Sequence, residues 1–220
     1  MKPWWLYAAT MALCAGAHAL TVDGGLSNFQ VLQANDSNAA DATLAGSATA
    51  GGTVQAQVAG PAGEVKPWAD LAPIKDGKWQ GALTALPVGG PYTVSLRVLD
   101  SAGAPVEQAT VSDVLVGDLW ILAGQSNMQG YANLVNTETE DPLVHAYAFS
   151  DQWKIAKDPL HVLEESHDVV HAAPPDDATR AQQIKDAYAR TKGGGLGMTF
   201  AKELAKRTVR PIGLVPCAHG

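Results

Sequence analysis

Leu115-Val116-Gly117-Asp118-Leu119-Trp120-Ile121-Leu122-Ala123, followed at once by Gly124-Gln125-Ser126-Asn127-Met128, decides the fold. Apart from Gly117 and Asp118 the run up to Ala123 is apolar, the pattern of a strand buried on both faces, and such strands belong to parallel sheets. It would deliver a serine hydroxyl to the C-terminal edge of the sheet, where open α/β folds place their active sites. Gly124, two positions before the serine, permits a tight turn, and the backbone N–H groups that follow point toward an incoming carbonyl oxygen as its negative charge develops. The segment is not the G-x-S-x-G elbow, because Met128 stands at the second glycine position. A serine after a buried strand also serves as a helix N-cap, so local physics leaves both roles open for Ser126.

Downstream, Leu196, Phe200 and Leu204 recur at helical spacing, Lys202, Lys206 and Arg207 suit the C-terminal end of that helix, and Pro211 follows it. Ile212 to Ala218 reads as the next buried strand. Between the two units, residues 131–195 carry Pro142, Pro159, Pro174 and Pro175 and little periodicity. A structureless loop of that length is unusual, so short elements are expected near Val144 to Phe149 and Ala178 to Ala189.

Upstream, residues 20–111 are rich in Ala, Gly, Thr and Val in short alternating runs, the pattern of a small β-sandwich. Tyr92, Val94, Leu96 and Val98 face one way from the clearest strand, and Val54, Ala56 and Val58 form a similar stripe. Asp76-Gly77, Gly89-Gly90-Pro91 and Asp100-Ser101-Ala102-Gly103 supply turns. Trp79 is expected in the core. The fold class is therefore α/β, with a β-sandwich domain over 20–111 and an α/β unit over 112–220.

A formal net charge of -7 over 220 residues, with no Lys/Arg cluster, argues against nucleic acid or an anionic membrane surface as partner. Residues 1–19 read as a secretory signal: Lys2, then the apolar stretch Trp4 to Ala15, then Ala17-His18-Ala19 as the cleavage site. That stretch is shorter than the roughly 20 apolar residues of a membrane span. Removal of the signal, with Cys14, leaves Cys217 as the sole cysteine, expected as a small buried hydrophobe. Secretion or a periplasmic location follows as an expectation.

Two constellations compete with the serine. Asp168-Val169-Val170-His171 has the Asp-x-x-His spacing of a base and its supporting carboxylate. His167 and His171, four apart with Glu164 nearby, would share a helix face toward a metal, but Val169, Val170 and the prolines after them oppose a long helix. Solvated loop histidines are the expectation, with no metal. His219 would either touch substrate at the sheet edge or flank a turn.

Val116-Gly117-Asp118-Leu119-Trp120-Ile121-Leu122-Ala123-Gly124-Gln125-Ser126-Asn127-Met128 resembles the nucleophile block of the sialate O-acetylesterase family, grouped with acetylxylan esterases in the SGNH hydrolase superfamily. Phe29-Gln30-Val31-Leu32-Gln33 resembles the opening of that family's N-terminal β-domain. Gly195 to Ala201 and Pro211 to Gly220 resemble its next helix and strand, and Trp153 and Asp158-Pro159-Leu160 fit more weakly.

The resemblance implies an α/β/α sandwich, incomplete in this chain, in which a serine removes acetyl groups from sugar hydroxyls through an acyl-enzyme, without metal or organic cofactor. Ser126 would be the nucleophile and an oxyanion donor through its backbone N–H. Gly220 would give a second N–H, and Gln125 and Asn127 belong to the same oxyanion and substrate-binding set. Acetylated sialic acid or polysaccharide would be the substrate. The histidine base and its aspartate would come from blocks after Gly220, so this stretch alone is expected to be nearly inactive and poorly soluble. A non-catalytic carbohydrate-binding or surface protein with a degenerate hydrolase domain is the competing expectation, and a related SGNH lipase or deacetylase acting on another ester shares the mechanism.

Overall fold

Alternation of apolar with polar residues turns the first half of the chain into strands, in a computed structural model that describes residues 20–168 and 176–220. The proposed signal, residues 1–19, lies outside them. The strands are β1 (Val31–Gln33), β2 (Ala39–Ser47), β3 (Thr53–Gly60), β4 (Gly63–Pro73), β5 (Lys78–Pro87), β6 (Gly89–Leu99) and β7 (Pro105–Leu122). β2 pairs antiparallel with β5, while β4, β3, β6 and β7 pair in that order in a second sheet. Leu44 and Leu86 from the first sheet and Val54, Val58, Val94 and Leu96 from the second share one buried core with Trp79. The alternation anticipated for Tyr92 to Val98 is observed residue by residue.

Asp76-Gly77 forms the connection between β4 and β5, both residues with positive φ, the backbone that a two-residue hairpin loop requires. Gly89-Gly90-Pro91 is not a free turn. These residues already belong to β6, where pairing with β7 slips between Gly89 and Tyr92, and only Val88 separates β5 from β6. Glycines without Cβ tolerate the irregular start of a strand as readily as a loop, so composition alone could not separate the two.

β7 does not break at Val111, where the sequence changes character. Its first part pairs antiparallel with β6 up to Val116, and Asp118 to Leu122 pair parallel with a later strand, β12 (Ile212–Pro216). Successive backbone N–H groups of a strand point to opposite edges. The Leu115 N–H reaches the Gln30 carbonyl and the Asp118 N–H the Pro211 carbonyl, so β1, parallel to β7 at residues 115–117, lies on the edge away from β12. The Leu119 N–H still finds Gln33 Oε1 at 2.8 Å. Past that bond this edge of β7 has no strand partner among the described residues.

After β7 come α1 (Ser126–Gln129), β8 (Ala132–Asn133), β9 (Val144–Tyr147), β10 (Trp153–Ile155), a 3-10 turn (Leu163–Glu165), α2 (Asp177–Ala189), β11 (Lys192–Gly194), α3 (Gly197–Thr208) and β12. β9 is parallel to β12 and extends the sheet beyond it, with β10 antiparallel at the edge. The short elements anticipated inside residues 131–195 are thus β9 and α2. No helix of the described residues is long and apolar enough to cross a membrane.

Three expectations are corrected here. Trp120 and Ile121 are 42% and 70% exposed, so β7 is not buried on both faces near its end. The helix after Gly195 exists, but its buried face is Met198, Ala201 and Ala205, while Leu196 and Phe200 are exposed. Small residues let α3 approach the sheet closely, and the larger ones line an open groove with Trp120, whose ring meets Phe200 edge-on at 5.1 Å. Cys217 is exposed because the alternation that buries Leu214, Pro216 and Ala218 points position 217 outward.

Two polar clusters tie these layers together. Arg210 grips Asp118 with two 2.9 Å bonds and reaches Asn38 Oδ1 at 2.7 Å, joining β12's lead-in to β7 and the start of β2. That planar, bidentate geometry is the strong form of such a pair. His145 on β9 is buried and donates from Nδ1 to the Phe29 carbonyl at 2.7 Å. Burial holds this imidazole below its usual pKa, partly offset by that bond, so it joins β9 to the segment before β1 as a neutral donor.

Candidate active site

The end of β7 sets the site. Gly124 has φ +153, open only to glycine, and this turns the chain from β7 into α1. Gln125 occupies the N-cap position with extended backbone, and its carbonyl accepts from the Met128 and Gln129 N–H groups at 2.8 and 3.0 Å. Ser126 is therefore the first residue inside α1 rather than its cap. Its half-buried side chain caps nothing, and its hydroxyl has no hydrogen-bond partner among the described residues. Gln125 and Asn127 are exposed beside it.

Gly220 comes back to the same point from the far side of β12. A Cβ there would collide with the Ser126 backbone N and lie 2.9 Å from Ser126 Oγ, so only glycine fits this approach. Its N–H is engaged: it donates to Gln129 Oε1 at 2.9 Å. An oxyanion would have to take the place of Gln129 at Gly220, a constraint that sequence reading missed. The His219 N–H donates to the Gly124 carbonyl at 3.2 Å, which closes the loop after β12 onto the turn before Ser126.

No histidine nitrogen lies within hydrogen-bond distance of Ser126 Oγ among the described residues. His171 of the Asp-x-x-His motif lies outside them. His167 is exposed, with Nδ1 3.5 Å from the Arg180 guanidinium, and Glu164 is paired with Arg190, in a 3-10 turn rather than a helix that would align metal ligands.

Beneath α1 lie two groups of a different character. His161 is 3% exposed, and neither ring nitrogen has a hydrogen-bond partner among the described residues. The carbonyls of Leu122 and Gln129 are near without reaching hydrogen-bond geometry, and burial outweighs them, holding the imidazole below its usual pKa and neutral. Nothing in the local pattern around residue 161 distinguished it from a surface loop histidine. Asp158, half-buried, is pushed up to about 6 by burial, opposed by the Gly195 N–H and reinforced by the charge of Glu138.

Asp158 makes a measurable prediction. A carboxyl whose pKa is raised on folding contributes stability below its ordinary value of 3.8, and that contribution is lost as pH rises through about 6. The urea midpoint of the native protein should therefore fall, relative to that of Asp158→Asn, between about pH 4 and pH 6. A constant difference between the two proteins over that range would refute the burial of this carboxyl.

The sequence profile of the family described as carbohydrate esterase, sialic acid-specific acetylesterase, matches residues 116–220. No match was found among curated proteins. Among solved structures, the chain is similar to the Bifidobacterium dentium beta-glucuronidase complexed with coumarin-3-O-glucuronide, at 17% identity and a TM-score of 0.29. The match covers 49% of this chain and 21% of that one.

Proposed function

Because residues 116–220 belong to the sialic acid-specific acetylesterase family of carbohydrate esterases, we propose that the protein removes O-acetyl groups from sugars with Ser126 as nucleophile. The observation that carries this reading is the Ser126 hydroxyl, without a hydrogen-bond partner among the described residues at the turn after β7 and approached by Gly220. The alcohol oxygen attacks the acetyl carbonyl, its proton passes to a base, the ester C–O bond breaks, and the sugar leaves as its free alcohol. Water then releases acetate from the acyl-serine.

Negative charge on the carbonyl oxygen develops toward the Ser126 N–H, and toward the Gly220 N–H once Gln129 yields it. The base is a histidine that the described residues do not bring to Ser126. In this reading residues 112–220 are the esterase unit, of α/β/α SGNH type, and residues 20–111 a supporting β-domain. The segment 1–19 directs export to the periplasm or medium, where acetylated sialic acids and polysaccharides are met.

The test is acetate release from O-acetylated N-acetylneuraminic acid and from acetylated xylan, followed by proton NMR. The protein should include any residues its gene encodes after Gly220. Release above the buffer rate from either substrate is expected, and none from both would sink the reading.

A further inference from the structure

The Gly220 N–H stands against Ser126 with its proton already taken. It donates to Gln129 Oε1 at 2.9 Å, while a Cβ on Gly220 would lie 2.9 Å from Ser126 Oγ. A side-chain amide carbonyl accepts from an N–H as an ester carbonyl does, so Gln129 fills, from within the chain, the place that the oxygen of a bound ester needs. This is the only hydrogen bond that the Gln129 side chain makes among the described residues.

Neither segment joined by that bond depends on it. After β12 the chain is fastened to the end of β7 by the Cys217 N–H on the Leu122 carbonyl at 3.1 Å and by the His219 N–H on the Gly124 carbonyl at 3.2 Å. The α1 turn is closed by backbone bonds: the Met128 and Gln129 N–H groups reach the Gln125 carbonyl, and the Gly130 N–H reaches the Ser126 carbonyl at 3.0 Å. Gln129 can therefore leave Gly220 with both segments still held. It also has a place to go, because its half-buried side chain borders a cavity of about 200 Å³ behind α1 whose lining includes Tyr131, Pro159 and Lys192.

We propose that Gln129 is a displaceable latch on the oxyanion site: its amide oxygen holds the Gly220 N–H while the site is empty, and an incoming ester carbonyl takes that N–H as the side chain turns into the cavity. The latch regulates the site of the proposed esterase and rests on that reading. A site closed for part of the time binds with an affinity reduced in proportion to the open fraction, so the cost of the latch falls on KM. The step measured by kcat follows displacement and is spared.

The test uses the protein with any residues its gene encodes after Gly220, and p-nitrophenyl acetate as substrate. Gln129→Ala should raise kcat/KM by about two- to tenfold, the net strength of one neutral hydrogen bond, with KM changing more than kcat. Gln129→Glu should lower kcat/KM by at least about tenfold, since a carboxylate accepts more strongly than an amide and places negative charge where the oxyanion forms. Without substrate, the Gly220 amide proton of 15N-labelled protein should exchange with water about two- to tenfold faster in Gln129→Ala than in the parent, by NMR. The thermal midpoint of Gln129→Ala should stay within about two degrees of the parent, because the bonds from Cys217 and His219 remain.

A Gln129→Ala variant with kcat/KM equal to or below the parent value, or a Gly220 amide that exchanges alike in both proteins, would overturn the latch. A lowered kcat together with a lowered midpoint would overturn it as well, by showing that the bond holds the loop in its working position. A parent that releases no acetate, with faster Gly220 exchange in Gln129→Ala, would refute the esterase reading and support the hold on Gly220. Acetate release by the parent with neither variant moving kcat/KM in its stated direction would refute the latch alone.

Discussion

In the protein with any residues its gene encodes after Gly220, replacing Ser126 by alanine is expected to lower acetate release from p-nitrophenyl acetate by at least about a thousandfold. The hydroxyl stands at the turn after β7 with Gly220 against it, and it makes no hydrogen bond among the described residues that its removal would break. Its removal should cost turnover without costing structure, because the side chain neither caps α1 nor packs in either core. The thermal midpoint should thus remain within a degree or so of the parent, since surface changes of this kind stay within about 0.5 kcal/mol. Turnover above about a tenth of the parent value would remove Ser126 from the nucleophile role. An accompanying collapse of the thermal midpoint would instead make the residue structural.

The second large effect lies far from the serine. Glu107 on β7 is 3% exposed, and its carboxylate accepts from the Thr49 N–H at 3.1 Å, the Ala50 N–H at 2.8 Å and the Thr49 hydroxyl. It closes the bend between β2 and β3, where the backbone has left the ladder and its donors have no strand to meet. Glu107→Leu matches the surrounding apolar core but strands the half-buried Ala50 N–H, at about 1–3 kcal/mol, while the groups of the exposed Thr49 can turn to water. We expect a loss of about 1–3 kcal/mol in urea unfolding, with Thr49→Val, which removes only the hydroxyl, costing about 0.5 kcal/mol. A loss below about 0.5 kcal/mol for Glu107→Leu would mean that water reaches these donors and that the bend does not depend on the carboxylate.

Both residues bear on what could be read beforehand. Ser126 stood out because an apolar run ended in a glycine-bearing turn, a local pattern carried by consecutive residues. Glu107 gave no signal, since an acidic residue in an alternating strand looks like a solvated position, and its partners are 57 and 58 residues away. His161 is similar: its burial depends on meeting Leu122 and Gln129, more than 30 residues away. The helix at Gly197–Thr208 was legible from its period and its basic last turn, but its orientation was not. Hydrophobicity favoured the face with Leu196, Phe200 and Leu204, whereas close approach to the sheet favoured Ala201 and Ala205; steric fit prevailed, leaving Leu196 and Phe200 exposed and Leu204 half-buried against the core.

Periodicity, turn residues and the strand-to-serine junction are encoded within a few neighbouring residues, so the sequence by itself determined a strand-rich first half, a mixed second half and the emplacement of Ser126 at a strand end. Only the tertiary structure decided the rest. It carried β7 unbroken from antiparallel to parallel pairing, brought Gly220 against Ser126 with Gln129 holding its N–H, and left Trp120 and Ile121 exposed. Those outcomes depend on which distant groups meet, and burial, hydrogen-bond satisfaction and close packing are properties of such meetings rather than of any local stretch of chain.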